Sequence, residues 1–140
     1  MSKLPAKRMG AVDREYIAFD LPAPISVNAL WTIRKNRATG KPYLAKTKEY
    51  ESWLTECGWA INVAKPGFIS GWYNIRITVG THCGIDLDNA PKAVSDFCQL
   101  HGIIDNDKFA ASVDLRWHKD VPGISVMLTR TSAPAGKAAA

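Results

Sequence analysis

The chain has 140 residues, with 46% hydrophobic content and a formal net charge of +5 from 18 Lys and Arg against 13 Asp and Glu. That length sets one domain, able to bury about two-thirds of its unfolded surface without disulfide or metal staples. The three cysteines form no C-x-x-C, and an odd count is poor material for a disulfide framework. No apolar run is long enough to span a membrane, and the start of the chain lacks a signal-peptide core, so cytoplasmic residence is expected.

Residues 1–14 carry Lys3, Lys7, Arg8 and Arg14 with little apolar material, which predicts a loose basic arm. The alternation in Tyr16 to Leu21 predicts a short strand; Pro22 and Pro24 then impose an extended path. No acid occurs between Asp20 and Glu49, whereas Arg34, Lys35, Arg37, Lys41, Lys46 and Lys48 all fall there. Ala38-Thr39-Gly40-Lys41 supplies a turn, so two short strands around a basic hairpin are expected. A run of cations without counter-charges suits phosphate contact, and those six side chains are the candidate DNA contacts. The alternative is a solvated surface loop.

Thr47 is placed to cap the next helix. Tyr50, Trp53, Leu54, Cys57, Ile61 and Ala64 recur at helical spacing as its buried stripe, and Pro66-Gly67 ends it. Strict alternation of Tyr73, Ile75, Ile77 and Val79 predicts a strand over Trp72 to Thr81. A second helix runs from about Asn89 to Leu100, with Ala90, Ala93, Val94, Phe97 and Leu100 inward and Lys92 on another face. Val113, Leu115 and Trp117, then Ile124, Val126 and Leu128, read as an antiparallel strand pair about a turn at 119–123. Residues 131–140 have the composition of a disordered tail. Strands and two main helices in mixed order predict a single α+β domain over residues 15–130, a small mixed or antiparallel sheet packed with the helices.

The chemistry concentrates in Gly84-Ile85-Asp86-Leu87-Asp88-Asn89-Ala90-Pro91-Lys92 and in Ile103-Ile104-Asp105-Asn106-Asp107. Closely spaced carboxylates are the hard oxygen ligands that Mg²⁺ takes, one or two of them together with waters and substrate phosphates. The structural alternatives are specific. Asp88 suits a helix N-cap, Asp86 an Asx turn, and Lys92 an i,i+4 pair with Asp96. A zinc group from His82, Cys83, Cys98 and His101 is a further arrangement, although none of its pairs has finger-like spacing.

D-L-D-N-A-P-K, a helix of about three turns, then G-I-I-D-N-D before a strand resembles the core signature of the RusA-like crossover-junction endodeoxyribonucleases. Leu21-Pro22-Ala23-Pro24-Ile25-Ser26-Val27-Asn28-Ala29-Leu30-Trp31 is similar to that family's L-P-x-P-x-S-V-N-x-x-W segment, in the same order along the chain. The resemblance implies an α+β fold and a Mg²⁺-dependent endonuclease that resolves four-way DNA junctions as a homodimer, by paired nicks. It implies metal ligation by Asp86, Asp88 and Asp107 and a catalytic Lys92, with Asn28 and Asn89 of the two motifs as further DNA contacts. The family often has two adjacent acids where this chain has Asn106-Asp107, with Asp105 one step earlier; spacing from Lys92 favours Asp107 as the third ligand. A DNA-binding module without catalysis, its aspartates serving as caps and turns, is the competing expectation.

Overall fold

A computed structural model describes residues 8–23 and 30–139. Asn28, most of the segment around it and the first half of the expected basic arm lie outside the described residues. Six strands and two helices follow in the order β1 (Tyr16–Leu21), β2 (Trp31–Lys35), β3 (Pro42–Lys46), α1 (Lys48–Ala64), β4 (Tyr73–Gly80), α2 (Ala90–Leu100), β5 (Ala110–His118) and β6 (Ile124–Arg130). Four strands form one sheet in the order β1-β6-β4-β5, with β4 and β5 parallel and the other neighbours antiparallel. This is the expected α+β domain.

One face of the sheet is apolar because the alternation holds on every strand. Ile17, Phe19 and Leu21 of β1, Ile124, Val126 and Leu128 of β6, and Tyr73, Ile75, Ile77 and Val79 of β4 are all buried. The helices cover that face as a single layer in one continuous core, in which Phe97 of α2 touches Phe19 of β1. Each such side chain contributes about 1.5–3 kcal/mol by leaving water. Thr47 caps α1 by accepting the Tyr50 N–H at 3.2 Å, and Lys65, in the left-handed region, closes it with its N–H on the Ile61 carbonyl.

β5 and β6 are not paired with each other, contrary to the hairpin expected from their alternation. β4 lies between them, and α2 provides the long crossover that joining parallel strands β4 and β5 requires. Local alternation reports which residues face inward and carries no information on which strand is the neighbour. Two stripe positions also differ: Ala64 is exposed in the last turn of α1, and Leu100 is 57% exposed at the end of α2, where Cys98 is buried instead.

Residues 8–14, expected as the second half of a loose basic arm, are anchored. Met9 is buried in the core, Arg8 pairs with Asp105, and Asp13 bonds Ser70 and Arg130. Residues 131–139, expected as a disordered tail, pass Trp72. The Thr131 N–H bonds the Trp72 carbonyl, and the Trp72 indole N–H bonds the Ala138 carbonyl, each at 3.0 Å. Among the described residues no helix is long and apolar enough to cross a membrane.

Candidate active site and nucleic-acid surface

The acidic turn starts where β4 ends. The Cys83 N–H bonds the Gly80 carbonyl at 3.0 Å, turning the chain back over the sheet, and Ile85 is buried as an anchor. A 3-10 turn, Leu87–Asn89, follows and runs directly into α2; the Asn89 N–H closes it on the Asp86 carbonyl at 3.0 Å. Ile85 and Ala90 are buried and Leu87 packs against the core, so the intervening Asp86 and Asp88 are both driven into solvent. Lys92 is exposed one turn further on. Pro91 sits in the first turn of α2, where its missing N–H removes nothing.

Among the described residues, none of the structural duties open to these side chains is performed. Asp86 precedes the 3-10 turn and Asn89 precedes α2, and neither side chain makes a capping hydrogen bond; Asp88 lies inside the turn. Lys92 does not pair with Asp96, whose carboxylate instead accepts from the Tyr50 hydroxyl at 2.9 Å and pairs with Lys46 at 3.5 Å. No side chain caps the start of α2: the Ala90 N–H closes on the Leu87 carbonyl and Pro91 has none, and the positive end of the helix dipole lies at this end, next in the chain to the two aspartates.

The downstream acids divide by burial. Asp105 is 5% exposed; it pairs with Arg8 at 2.8 Å and accepts the Gly71 N–H at 3.0 Å. Its carboxylate ties the amino-terminal segment and the loop before β4 to the end of α2. Asp107 is exposed, and its carboxylate takes no hydrogen bond or ion pair among the described residues. Its backbone is fixed: the N–H bonds Gln99 Oε1 at 3.1 Å, and the carbonyl accepts from the Tyr73 hydroxyl at 3.5 Å. Burial first, with the Asp107 carboxylate adding to it, pushes the Tyr73 hydroxyl well above its ordinary value, so it stays a neutral donor.

The three aspartates expected as ligands are not gathered. Asp86 and Asp88 stand ahead of the first turn of α2, while Asp107 is held at Gln99 in its last. At 1.5 Å per residue the helix sets these ends about 14 Å apart along its axis. Among the described residues no three His, Cys, Asp or Glu side chains stand where they would share a metal ion. The same holds for the zinc arrangement. His82 bonds the Pro122 carbonyl at 2.9 Å beyond the end of β4, whereas Cys98 is fully buried near the other end of α2. Burial raises the Cys98 thiol far above its usual value, which opposes the thiolate that zinc requires. The D-x-D pair by itself fits Mg²⁺, which takes one or two carboxylates and keeps several waters.

The basic hairpin forms as expected, as a separate two-stranded ribbon of β2 and β3. Asn36 shapes its tip by accepting the N–H groups of Ala38 and Thr39 at 2.8 and 3.1 Å. Arg34, Lys35, Arg37 and Lys41 are exposed with no ion pair among the described residues, and Lys48 is exposed at the start of α1. Lys46 differs from the other candidates, since it turns inward to Asp96 and lies 5.4 Å over the Trp31 ring. The ribbon also displays Ile33 and Leu44, cross-strand partners that are 74% and 60% exposed, and Tyr43 opposite Arg34. These three were not expected as surface features; the strict count of cations hid the apolar residues between them.

Fold and site together define a small α+β domain with an exposed acidic turn at a helix start and a basic ribbon projecting from its core. No model of a known protein family matches the chain, and no curated protein matches it. The likeness to the RusA-like nucleases rests on the two motifs.

Proposed function

We propose that the chain is a Mg²⁺-dependent endodeoxyribonuclease of branched DNA, with four-way junctions as its first substrate. The observation that supports this best is negative work. Asp86 and Asp88 at the 3-10 turn and Lys92 in the first turn of α2 are all exposed, and among the described residues none of them makes a capping hydrogen bond or an ion pair. Asp86 and Asp88 would hold the ion. When bound, Mg²⁺ supplies Lewis-acid polarisation of a phosphate oxygen and a water of lowered pKa. Lys92 places a fixed positive charge beside the reacting phosphate, with the start of α2 adding to it. Arg34, Lys35, Arg37 and Lys41 hold the duplex arms through backbone phosphates, which carry affinity and orientation without sequence preference. Asp107 is assigned as the third acid on the motif alone, at the other end of α2 from the D-x-D turn, and the pairing of Asp105 with Arg8 speaks against Asp105 in that role.

A second function is favoured by one observation, the separation of Asp107 from the D-x-D turn. On that account the ribbon makes the protein a DNA-binding module without catalysis. Incubating the protein with a synthetic four-way junction and a matched duplex, in Mg²⁺ and in EDTA, separates the two. Nicks in the junction that appear only with Mg²⁺ support the nuclease; binding without nicks under both conditions supports the module.

A further inference from the structure

The ribbon of β2 and β3 carries an apolar face outward from the core. Alternation along the two strands puts Trp31, Ile33 and Lys35 on one face, beside their cross-strand partners Lys46, Leu44 and Pro42. At the root of that face Trp31 packs edge-on against Tyr50, with ring centroids 5.7 Å apart, and joins the core. One pair further out, Ile33 and Leu44 have left the core and are 74% and 60% exposed. Side chains directly opposite on a ribbon are neighbours, so the two form one apolar knob.

The surroundings of the knob say what it meets. Arg34, Lys35, Arg37 and Lys41 lie beside and beyond it, exposed and without an ion pair among the described residues, and no acid occurs between Asp20 and Glu49. A protein surface covering Ile33 and Leu44 would have to bring acids for these cations, whereas a nucleic acid presents a phosphate at every step. Phosphates give an apolar pair nothing to contact. The apolar surface of a nucleic acid is the faces of its bases, which are open only where stacking is broken. Isoleucine and leucine are among the side chains that DNA-binding proteins insert between base steps, at the cost of unstacking the step. In an intact duplex that cost is incurred in full. At the open centre of a four-way junction stacking is already interrupted, so the same insertion is cheaper.

The root of the ribbon also fixes where such a contact falls. Lys46 pairs with Asp96 of α2 at 3.5 Å, and the Tyr50 hydroxyl donates to the same carboxylate at 2.9 Å. Asp96 lies about one helical turn beyond Lys92, so the ribbon is rooted beside the candidate site. We infer that Ile33 and Leu44 form a wedge that enters the opened base stack at a DNA branch point. This contact, rather than the phosphate contacts, distinguishes branched from linear DNA. The wedge rests on the proposed DNA binding by the ribbon and is independent of cleavage.

The test is equilibrium binding of the full chain, in EDTA, to a four-way junction and a matched duplex, each with the fluorescent base aminopurine at the branch position. Aminopurine brightens when it unstacks. Wild type is expected to bind the junction more tightly than the duplex and to brighten the base in the junction. Ile33→Thr with Leu44→Thr keeps strand-forming residues but shortens the side chains and adds hydroxyls. This double variant is expected to keep its melting curve, duplex affinity and salt slope, to lose the brightening, and to lower the preference for the junction about tenfold. Exchanging the two residues, Ile33→Leu with Leu44→Ile, keeps the apolar volume and should retain both signals. Wild type that binds the junction without brightening overturns the wedge. So does an exchange variant that loses both signals, or a Thr double variant that loses duplex affinity in the same proportion as junction affinity. A Thr double variant that keeps both signals overturns it as well, and leaves the apolar pair to a protein partner. Wild type that binds neither DNA form fails earlier, at the DNA contact of the ribbon, and takes the wedge with it.

Discussion

Changing Asp105 and Asp107 to Asn, one at a time, should give opposite results although the two residues are two positions apart. Asp105 is 5% exposed and neutralises Arg8 at 2.8 Å. Asn keeps an oxygen for the Gly71 N–H but leaves the guanidinium without its counter-charge. Removing one partner of a buried ion pair costs about 3–5 kcal/mol, because the other charge is left uncompensated. The Arg8 side chain is 26% exposed, so water recovers part of the loss and about 2 kcal/mol is expected. For a domain of this size that is a fall of about 8 °C in Tm. Asp107 is exposed and its carboxylate holds nothing among the described residues, so Asp107→Asn should stay within about 0.5 kcal/mol of wild type. Thermal and urea melts read the stability, and a Mg²⁺-dependent nicking assay on the same preparations reads activity. Loss of cleavage is expected in Asp107→Asn, with Asp105→Asn active below its melting point. A stable Asp105→Asn that has lost cleavage, beside an active Asp107→Asn, would refute the division of roles.

Lys92→Ala should cut nicking strongly and leave the melting curve in place, because Asp96 is bonded to Tyr50 and Lys46 and loses no partner; a destabilised but active variant would make Lys92 structural. Neutralising Arg34, Lys35 and Arg37 together should weaken binding to every DNA form and flatten the slope of log K against log salt, and an unchanged slope would reduce the ribbon to a solvated loop. A methyl group at Gly58 would lie 3.0 Å from His101 Cε1. Gly58→Ala alone should therefore not realise the roughly 1 kcal/mol of helix propensity, whereas the same change in His101→Ala should; melts of the four proteins test the coupling. Burial holds the His101 imidazole below its ordinary 6.5. Its folded form resists protonation, so this contribution is intact above pH 6.5 and is lost as pH falls from there through the depressed folded value. His101→Phe should flatten that limb of the stability–pH curve.

Helix α1 was legible to its cap because Thr47 and five of the six stripe residues act locally, and the same is true of the alternation in β4. The ribbon was legible from a turn flanked by short runs. What escaped the sequence was non-local. The pairing of β5 with β4 depends on where α2 returns the chain, and the anchoring of residues 8–14 depends on a buried Asp105 that looks like any loop aspartate in one dimension. At the candidate site, the motif located the residues but not their spacing in space. A rigid helix of eleven residues lies between the D-x-D turn and Asp107. Arg130, which joins Asp13 and Glu15 across more than half the chain and Ser70 across 60 residues, left no local signature at all.

The central claim is that the D-x-D turn holds the metal of a nuclease, and Asp88→Asn tests it most directly. Asn caps a helix about as well as Asp, and Asp88 makes no cap here, so the fold should not register the change. Removing the charge also relieves repulsion of the incoming phosphate. The account predicts an unchanged melting temperature, junction binding in EDTA at least as tight as wild type, and almost no Mg²⁺-dependent cleavage. Wild-type cleavage by Asp88→Asn would contradict it.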